Sequence, residues 1–177
     1  MRRYGVRNNL LCLMALTLAI MAGCESVIED SPSYEESSIV HVGDPAPPFE
    51  ICSIDGDTLV MPTQRATLLI LFSHTCSDCQ HLMTDLQQSI GDGEHGYNIM
   101  AISRGGTQQE IEAFRNEYEL RFPIAADEDK SIYSMYATMY VPRCYVVDEQ
   151  GIVRFVTFEY EAGDVDRLLA ELSKFIK

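Results

Sequence analysis

The sequence predicts a single α/β domain, a central mixed β-sheet flanked by helices, carried behind a leader and a tether. Three observations lead there. Apolar runs of strand length alternate with segments of helical periodicity. The most apolar of these runs, 66–72, leads almost directly into a Cys-x-x-Cys and a helix. The chain then closes with a hairpin and a terminal helix, a pattern that fits a sheet covered on both sides. A length of 177 residues suits one such domain with an N-terminal extension.

The extension reads as a signal peptide over residues 1–23. Arg2, Arg3 and Arg7 form a basic start, and Leu10 to Ala22 is almost wholly apolar. That run falls short of the roughly 20 residues a membrane-spanning helix needs and suits a secretory signal. It ends in Met21-Ala22-Gly23-Cys24, which resembles a bacterial lipobox. Cys24 is therefore the expected lipidation site, with the lipid holding the chain to a membrane. An uncleaved signal anchor with an incidental cysteine is the alternative. Residues 24–41 read as the lipidated cysteine and a flexible acidic tether, rich in Glu, Ser and Asp and without apolar periodicity. The domain proper is expected over 42–177. A formal net charge of −14 argues against an electrostatic nucleic-acid binder. Cleavage before Cys24 would remove basic residues only, so anionic headgroups would repel the mature chain and the lipid must do the holding.

Within the domain, Val42 to Phe49 carries Gly43, Pro45, Pro47 and Pro48 and is extended and turn-rich. Phe49 to Ile54 and Thr58 to Met61 flank Asp55-Gly56, a hairpin signal. Ala66 to Phe72 fits a central strand buried on both faces. After Cys76-Ser77-Asp78-Cys79, Leu82, Met83, Leu86 and Ile90 recur at helical spacing. Tyr97 to Ser103 is a second apolar strand. Thr107 and Glu110 form a capping box for a helix with Ile111, Phe114 and Tyr118 on one face. Phe122 to Ala126 is a short strand, and Asp129 can cap a helix bearing Ile132, Met135 and Tyr136. Cys144 to Val147 and Ile152 to Phe158 form a hairpin around residues 148–151. Asp164 can cap a last helix striped by Val165, Leu168, Leu169, Leu172 and Ile176.

Of six cysteines, Cys12 falls in the leader and Cys24 takes the lipid, leaving Cys52, Cys76, Cys79 and Cys144 for an oxidising compartment. A Cys-x-x-Cys can be a redox pair, a structural disulfide or half of a zinc site. Its placement decides. Cys76 falls where a buried strand meets the first turn of a helix, whose free N–H groups and positive dipole end stabilise an anion. The thiolate is the nucleophile in disulfide exchange. This assigns Cys76 as nucleophile and Cys79, one turn further in, as the resolving thiol. Asp78 sets a like charge beside the developing thiolate. A less stable thiolate makes the dithiol a stronger reductant, so the expected direction is reduction.

From Val42 to Lys177 the chain resembles the TlpA/ResA-like branch of the thioredoxin superfamily, membrane-tethered thiol–disulfide oxidoreductases. Residues 42–49 (Val-Gly-Asp-Pro-Ala-Pro-Pro-Phe) resemble the family's opening, and Asp55-Gly56 its first hairpin. Leu71 to Cys79 occupies the active-site segment. Tyr140-Val141-Pro142 resembles the cis-proline segment, and residues 146–151 the turn that follows. The resemblance implies a thioredoxin-like fold with an N-terminal β-hairpin extension. It also implies a cis peptide at Pro142 facing the disulfide, with substrate backbone pairing near Val141. The chain departs from the family at Thr75, where a Trp is usual. The two positions where relatives keep a buried acid hold Leu82 and Ile70. His74, His81 and Asp85 remain as nearby titratable groups, with His74 and Asp78 the tuning candidates.

Cys144 lies two residues beyond Pro142, on the same face of the strand. It is either a third participating thiol or a buried cysteine packing as a small hydrophobe. Pairing of Cys144 with Cys52 depends on geometry the sequence does not supply. Arg143 is either a support for the Cys76 thiolate or a plain surface arginine.

Three rival readings compete with this one. A metal site drawn from Cys76, Cys79, His74 and His81 lacks a second ligand pair. A peroxidase would need Pro-x-x-x-Thr-x-x-Cys, but the matching positions hold Leu69 and Ser73 before Cys76, and Phe72 and Cys76 before Cys79. A binding lipoprotein with a structural disulfide is the non-enzymatic reading. The expectation is a thiol–disulfide oxidoreductase of the bacterial cell envelope, facing the periplasm. Its substrates are protein or small-molecule disulfides, its electrons come from an upstream envelope donor, and it needs no metal and no dissociable cofactor.

Overall fold

The computed structural model describes residues 31–91 and 95–176. The expected signal peptide and Cys24 lie outside the described residues. Among those described, no helix is long and apolar enough to cross a membrane.

The elements follow the order β1 (Phe49–Cys52), β2 (Thr58–Met61), β3 (Thr67–Phe72), α1 (Ser77–Ile90), β4 (Asn98–Arg104), α2 (Gln108–Glu117), β5 (Ile124–Asp127), α3 (Tyr133–Tyr136), β6 (Arg143–Val147), β7 (Val153–Phe158) and α4 (Asp164–Ser173). β1 and β2 form an antiparallel hairpin of their own. The other five strands form one sheet in the order β5-β4-β3-β6-β7. β3 runs parallel to β4 and antiparallel to β6, so the sheet is mixed and β3 lies at its centre. Every residue of β3 is buried, as a strand covered on both faces requires.

Alternation along β3 divides the core. Leu68, Ile70 and Phe72 face a cluster with Cys79, Leu82, Met83 and Leu86 of α1, Ile111 and Phe114 of α2, and Val165, Leu168 and Leu172 of α4. Leu69 and Leu71 face the other side, with Leu59 and Met61 of the hairpin, Tyr133 and Tyr136 of α3, and Val40. Three helices therefore cover one face. The second is closed by one short helix, the hairpin and the N-terminal segment.

Local chemistry fixes the joints. Thr107 and Glu110 exchange both capping-box hydrogen bonds at the start of α2. The β6–β7 turn closes on Asp148, whose buried carboxylate accepts from the N–H groups of Gln150 and Ile152 and from Arg154 Nε. Hydrogen bonds to Arg154 and to the turn hold that carboxyl below its usual range against the opposing effect of burial. Two expected caps differ. The start of α3 is held by buried Asp127, which accepts from the N–H groups of Ile132 and Tyr133; Asp129 accepts from Ser131 instead. α4 is capped by Gly163 in the left-handed region, and Asp164, already helical, bonds back to the Glu161 N–H.

The largest departure concerns residues 32–40, expected as part of the tether. They pack on the domain. Ser37 and Val40 are buried, Ser38 bridges Ala137, and the Ile39 and Val40 N–H groups donate to the Tyr136 carbonyl. The compact unit accordingly begins at Pro32. This strap lacks apolar periodicity because backbone groups and serine hydroxyls hold it, with Val40 and the Tyr34 ring as isolated apolar contacts rather than a stripe.

Candidate active site

β3 ends at Phe72, and a tight turn, with the Cys76 N–H donating to the Ser73 carbonyl, delivers the chain into α1. Cys76 is the N-cap residue of α1, in extended conformation, and makes no side-chain capping bond. Its thiol is half-buried at the positive end of the helix, a setting that favours negative charge. Cys79 is fully buried, and its sulfur accepts from the Ser73 N–H at 3.4 Å. Burial pushes the Cys79 thiol far above its ordinary range. The two thiols thus differ in kind: one reachable, the other shielded and held protonated.

Across from them runs the turn before β6. The Val141–Pro142 peptide is cis. The Cys76 thiol donates to the Val141 carbonyl oxygen at 3.6 Å, so the backbone beside Pro142 lines the approach to the nucleophile. Tyr140, just before it, holds a left-handed φ of 71°.

Cys144 is fully buried in the same core cluster as Cys79, and burial pushes its thiol up to about 12. Cys52 is exposed on β1, whereas Cys144 lies in the sheet interior; all four described cysteines are free. Arg143 fits neither expectation. It is completely buried, faces away from the thiols, and donates to Ser37 and Ser38 of the strap and to the Met139 carbonyl of its own turn. Strand alternation makes this necessary: with Cys144 on the thiol face, Arg143 must face the other.

The positions where an acid was sought are closed to that role, since Ile70 and Leu82 are buried and apolar. His81 leans on the ring of Tyr160, and Asp85 accepts from the Tyr160 hydroxyl. His74 turns toward the loop before α2. A Cβ on Gly106 would lie 2.8 Å from its ring, and its Nδ1 is buried without a hydrogen-bond partner among the described residues. Among the described residues no three His, Cys, Asp or Glu side chains gather as a metal site. Asp78 is half-buried on the first turn of α1. A cavity of about 680 Å³ lies between Thr63, Ile90, Tyr97, Asn98 and Phe122, at the opposite end of the sheet from the thiols.

Sequence reasoning missed Ser73, whose N–H reaches the Cys79 sulfur, and the strap. Ser73 was within reach of the sequence, because a strand-to-helix turn leaves its N–H pointing at the first helical turn. The strap carried no comparable signal.

Comparison with known proteins places the chain. Residues 42–156 match the AhpC/TSA family. The thiol-disulfide oxidoreductase ResA of Oceanobacillus iheyensis is 24% identical over 152 residues, covering 82% of this chain and 79% of its own. Among solved structures, a candidate protein disulfide isomerase from Bacteroides thetaiotaomicron superposes with a TM-score of 0.70 at 19% identity, covering 79% of this chain and 92% of its own. A candidate thiol:disulfide interchange protein DsbE from Chlorobium tepidum gives 0.65 at 17% identity, covering 78% and 99%. The chain belongs to the AhpC/TSA family, has a thioredoxin-like fold, and resembles the ResA thiol–disulfide oxidoreductases.

Proposed function

We propose that this chain is a thiol–disulfide oxidoreductase in which Cys76 attacks and Cys79 resolves. One observation carries the assignment: the accessible Cys76 thiol at the start of α1 lies 3.6 Å from the Val141 carbonyl, with the Cys79 thiol buried one turn behind. The Cys76 thiolate attacks one sulfur of a substrate disulfide, forming a mixed disulfide and releasing the other sulfur as a thiolate. Cys79 then loses its proton and attacks the Cys76 sulfur. The second substrate thiol leaves, and Cys76 and Cys79 are joined. Two electrons have passed to the substrate, and a dithiol donor must return them. The backbone beside Pro142 is the surface on which a substrate peptide would lie. The raised pKa of Cys79 makes its deprotonation the demanding step of resolution, because neither Ile70 nor Leu82 can take the proton.

The direction favoured is reduction, from the charge of Asp78 beside the pair. The lipobox-like 21–24 segment supports a lipid on Cys24 and a place in a bacterial envelope, facing the periplasm, with the electron donor in the same envelope. Disulfides of proteins or small molecules are the substrates, and the Cys76–Cys79 pair is the redox group.

The test is trapping. A Cys79→Ser chain exposed to a peptide disulfide should accumulate a mixed disulfide on Cys76, whereas the parent should release reduced peptide. A parent that neither reduces the peptide nor forms an internal disulfide contradicts the assignment. For the anchor, a bacterium fed labelled palmitate should label the full chain and not Cys24→Ser; equal labelling of both would refute it.

A further inference from the structure

We infer that Arg143 and the strap at Tyr34–Ser38 form a positioning device for the turn that receives substrate. The inference rests on reading Cys76 as nucleophile and the Val141 backbone as the docking edge. Its basis is a set of contacts that converge on one short turn from the side of the sheet opposite the thiols.

Arg143 immediately follows Pro142 and is completely buried, and among the described residues no carboxylate forms an ion pair with it. Its charge is met by neutral acceptors. Nε donates to the Met139 carbonyl at 3.0 Å, Nη1 to Ser38 Oγ at 2.7 Å and Nη2 to Ser37 Oγ, and the guanidinium lies 4.9 Å from the centre of the Phe158 ring. One side chain thus ties the strap to Met139 and to the first residue of β6, on either side of Tyr140, Val141 and Pro142. A buried charge is tolerated only when its donors are satisfied, so the strap is an obligatory partner of Arg143.

Tyr140 is held from the same direction. Its hydroxyl donates to the Pro32 carbonyl at 2.7 Å, its carbonyl accepts from the Tyr133 hydroxyl at 2.8 Å, and its ring meets Tyr34 edge-on at 4.7 Å. Tyr34 also stacks on Phe158. A bulky residue at a φ of 71° persists only where its surroundings impose it. The strap supplies that constraint one residue before the carbonyl that faces Cys76. The arrangement therefore fixes the docking edge without touching either thiol, and it should govern substrates that lie along the backbone more than reagents that reach Cys76 alone.

The experiment uses the full chain with Ser37→Ala/Ser38→Ala, Arg143→Met and Arg143→Lys. Reduction of a peptide disulfide, reaction of Cys76 with a small aromatic disulfide, the redox potential of the pair, and amide exchange over residues 139–143 are measured. The serine variant, the one best able to keep the fold, should raise KM for the peptide roughly tenfold with kcat within about twofold. The potential and the small-reagent rate should stay at parent values, and exchange over 139–143 should quicken. Arg143→Lys should not rescue, because one ammonium cannot span the acceptors that the planar fork reaches. Folded variants with parent KM and parent exchange overturn the inference, as does a loss of thermal stability alone. Should the parent prove inactive, the assignment of function falls by itself, and the exchange rates still decide whether the strap holds the turn.

Discussion

Arg143 and Cys144 are neighbours on β6, both shut away from solvent, and they look in opposite directions. Cys144 faces three helices through an apolar core that also surrounds Cys79. Arg143 faces the serine hydroxyls of the strap and the Met139 carbonyl. One face buries its residues by removing hydrocarbon from water; the other by replacing water around a guanidinium with hydroxyl and carbonyl acceptors. The first mode leaves a periodic apolar signature in sequence. The second leaves none, and it explains why a segment composed like a tether is part of the folded unit.

The comparison can be broken at several points. The largest effect belongs to the thiol face: Cys76→Ser should lower disulfide reduction by about 10³-fold or more, because no other exposed thiol occupies the helix start. Turnover assays with a peptide disulfide check it. Next, Leu86→Ala should cost about 2–5 kcal/mol in denaturant melts, as for any fully buried leucine of a close-packed core. Arg143→Met should cost about 2–3 kcal/mol by stranding the acceptors of the strap. If this variant proved as stable as the parent, the strap face would be ordinary packing and the contrast would fail.

A subtler effect follows from pH. Burial raises the pKa of both Cys79 and Cys144, so the folded chain keeps protons that the unfolded chain releases. Their stabilising contribution is complete below the unfolded thiol pKa of about 8.5 and is lost as pH rises above it. The urea midpoint of the reduced chain should therefore fall between pH 8.5 and 10, and Cys79→Ala should make that fall shallower. Smallest is Cys144→Ala, which should cost about 1 kcal/mol and leave exchange at parent rates if Cys144 only packs. A clear fall in rate would make it a third working thiol.

Much of the thiol face was legible. The 66–72 run, the helix after Cys79 and the capping box at Thr107 each state their structure locally, and β3, α1 and α2 follow. The site's inner geometry was less so. That Cys79 is the shielded thiol follows from its place one turn into a buried helix face. The Ser73 N–H on its sulfur and the Nδ1 of His74, left without a hydrogen-bond partner among the described residues, depend on how loops close in space. The sequence offers Arg143 as a support for the Cys76 thiolate or as a surface arginine, and a fully buried arginine is rare enough that neither reading includes it. Alternation sets the two side chains on opposite faces, and the register of β6 against β3, which pairs Cys144 with Ile70 and Arg143 with Leu71, decides which face each takes. At α3 several Asp side chains compete and tertiary position favours Asp127, whereas at α4 Gly163 takes the cap one residue before Asp164.

The most direct measurement is a redox titration of the chain against defined dithiothreitol ratios, with differential thiol labelling read by mass spectrometry at each cysteine. The account predicts that Cys76 and Cys79 titrate together as one reversible two-electron couple at roughly −270 mV, while Cys52 and Cys144 stay as thiols throughout. A pair that stays locked as a disulfide under reducing conditions, or that never joins, would contradict it.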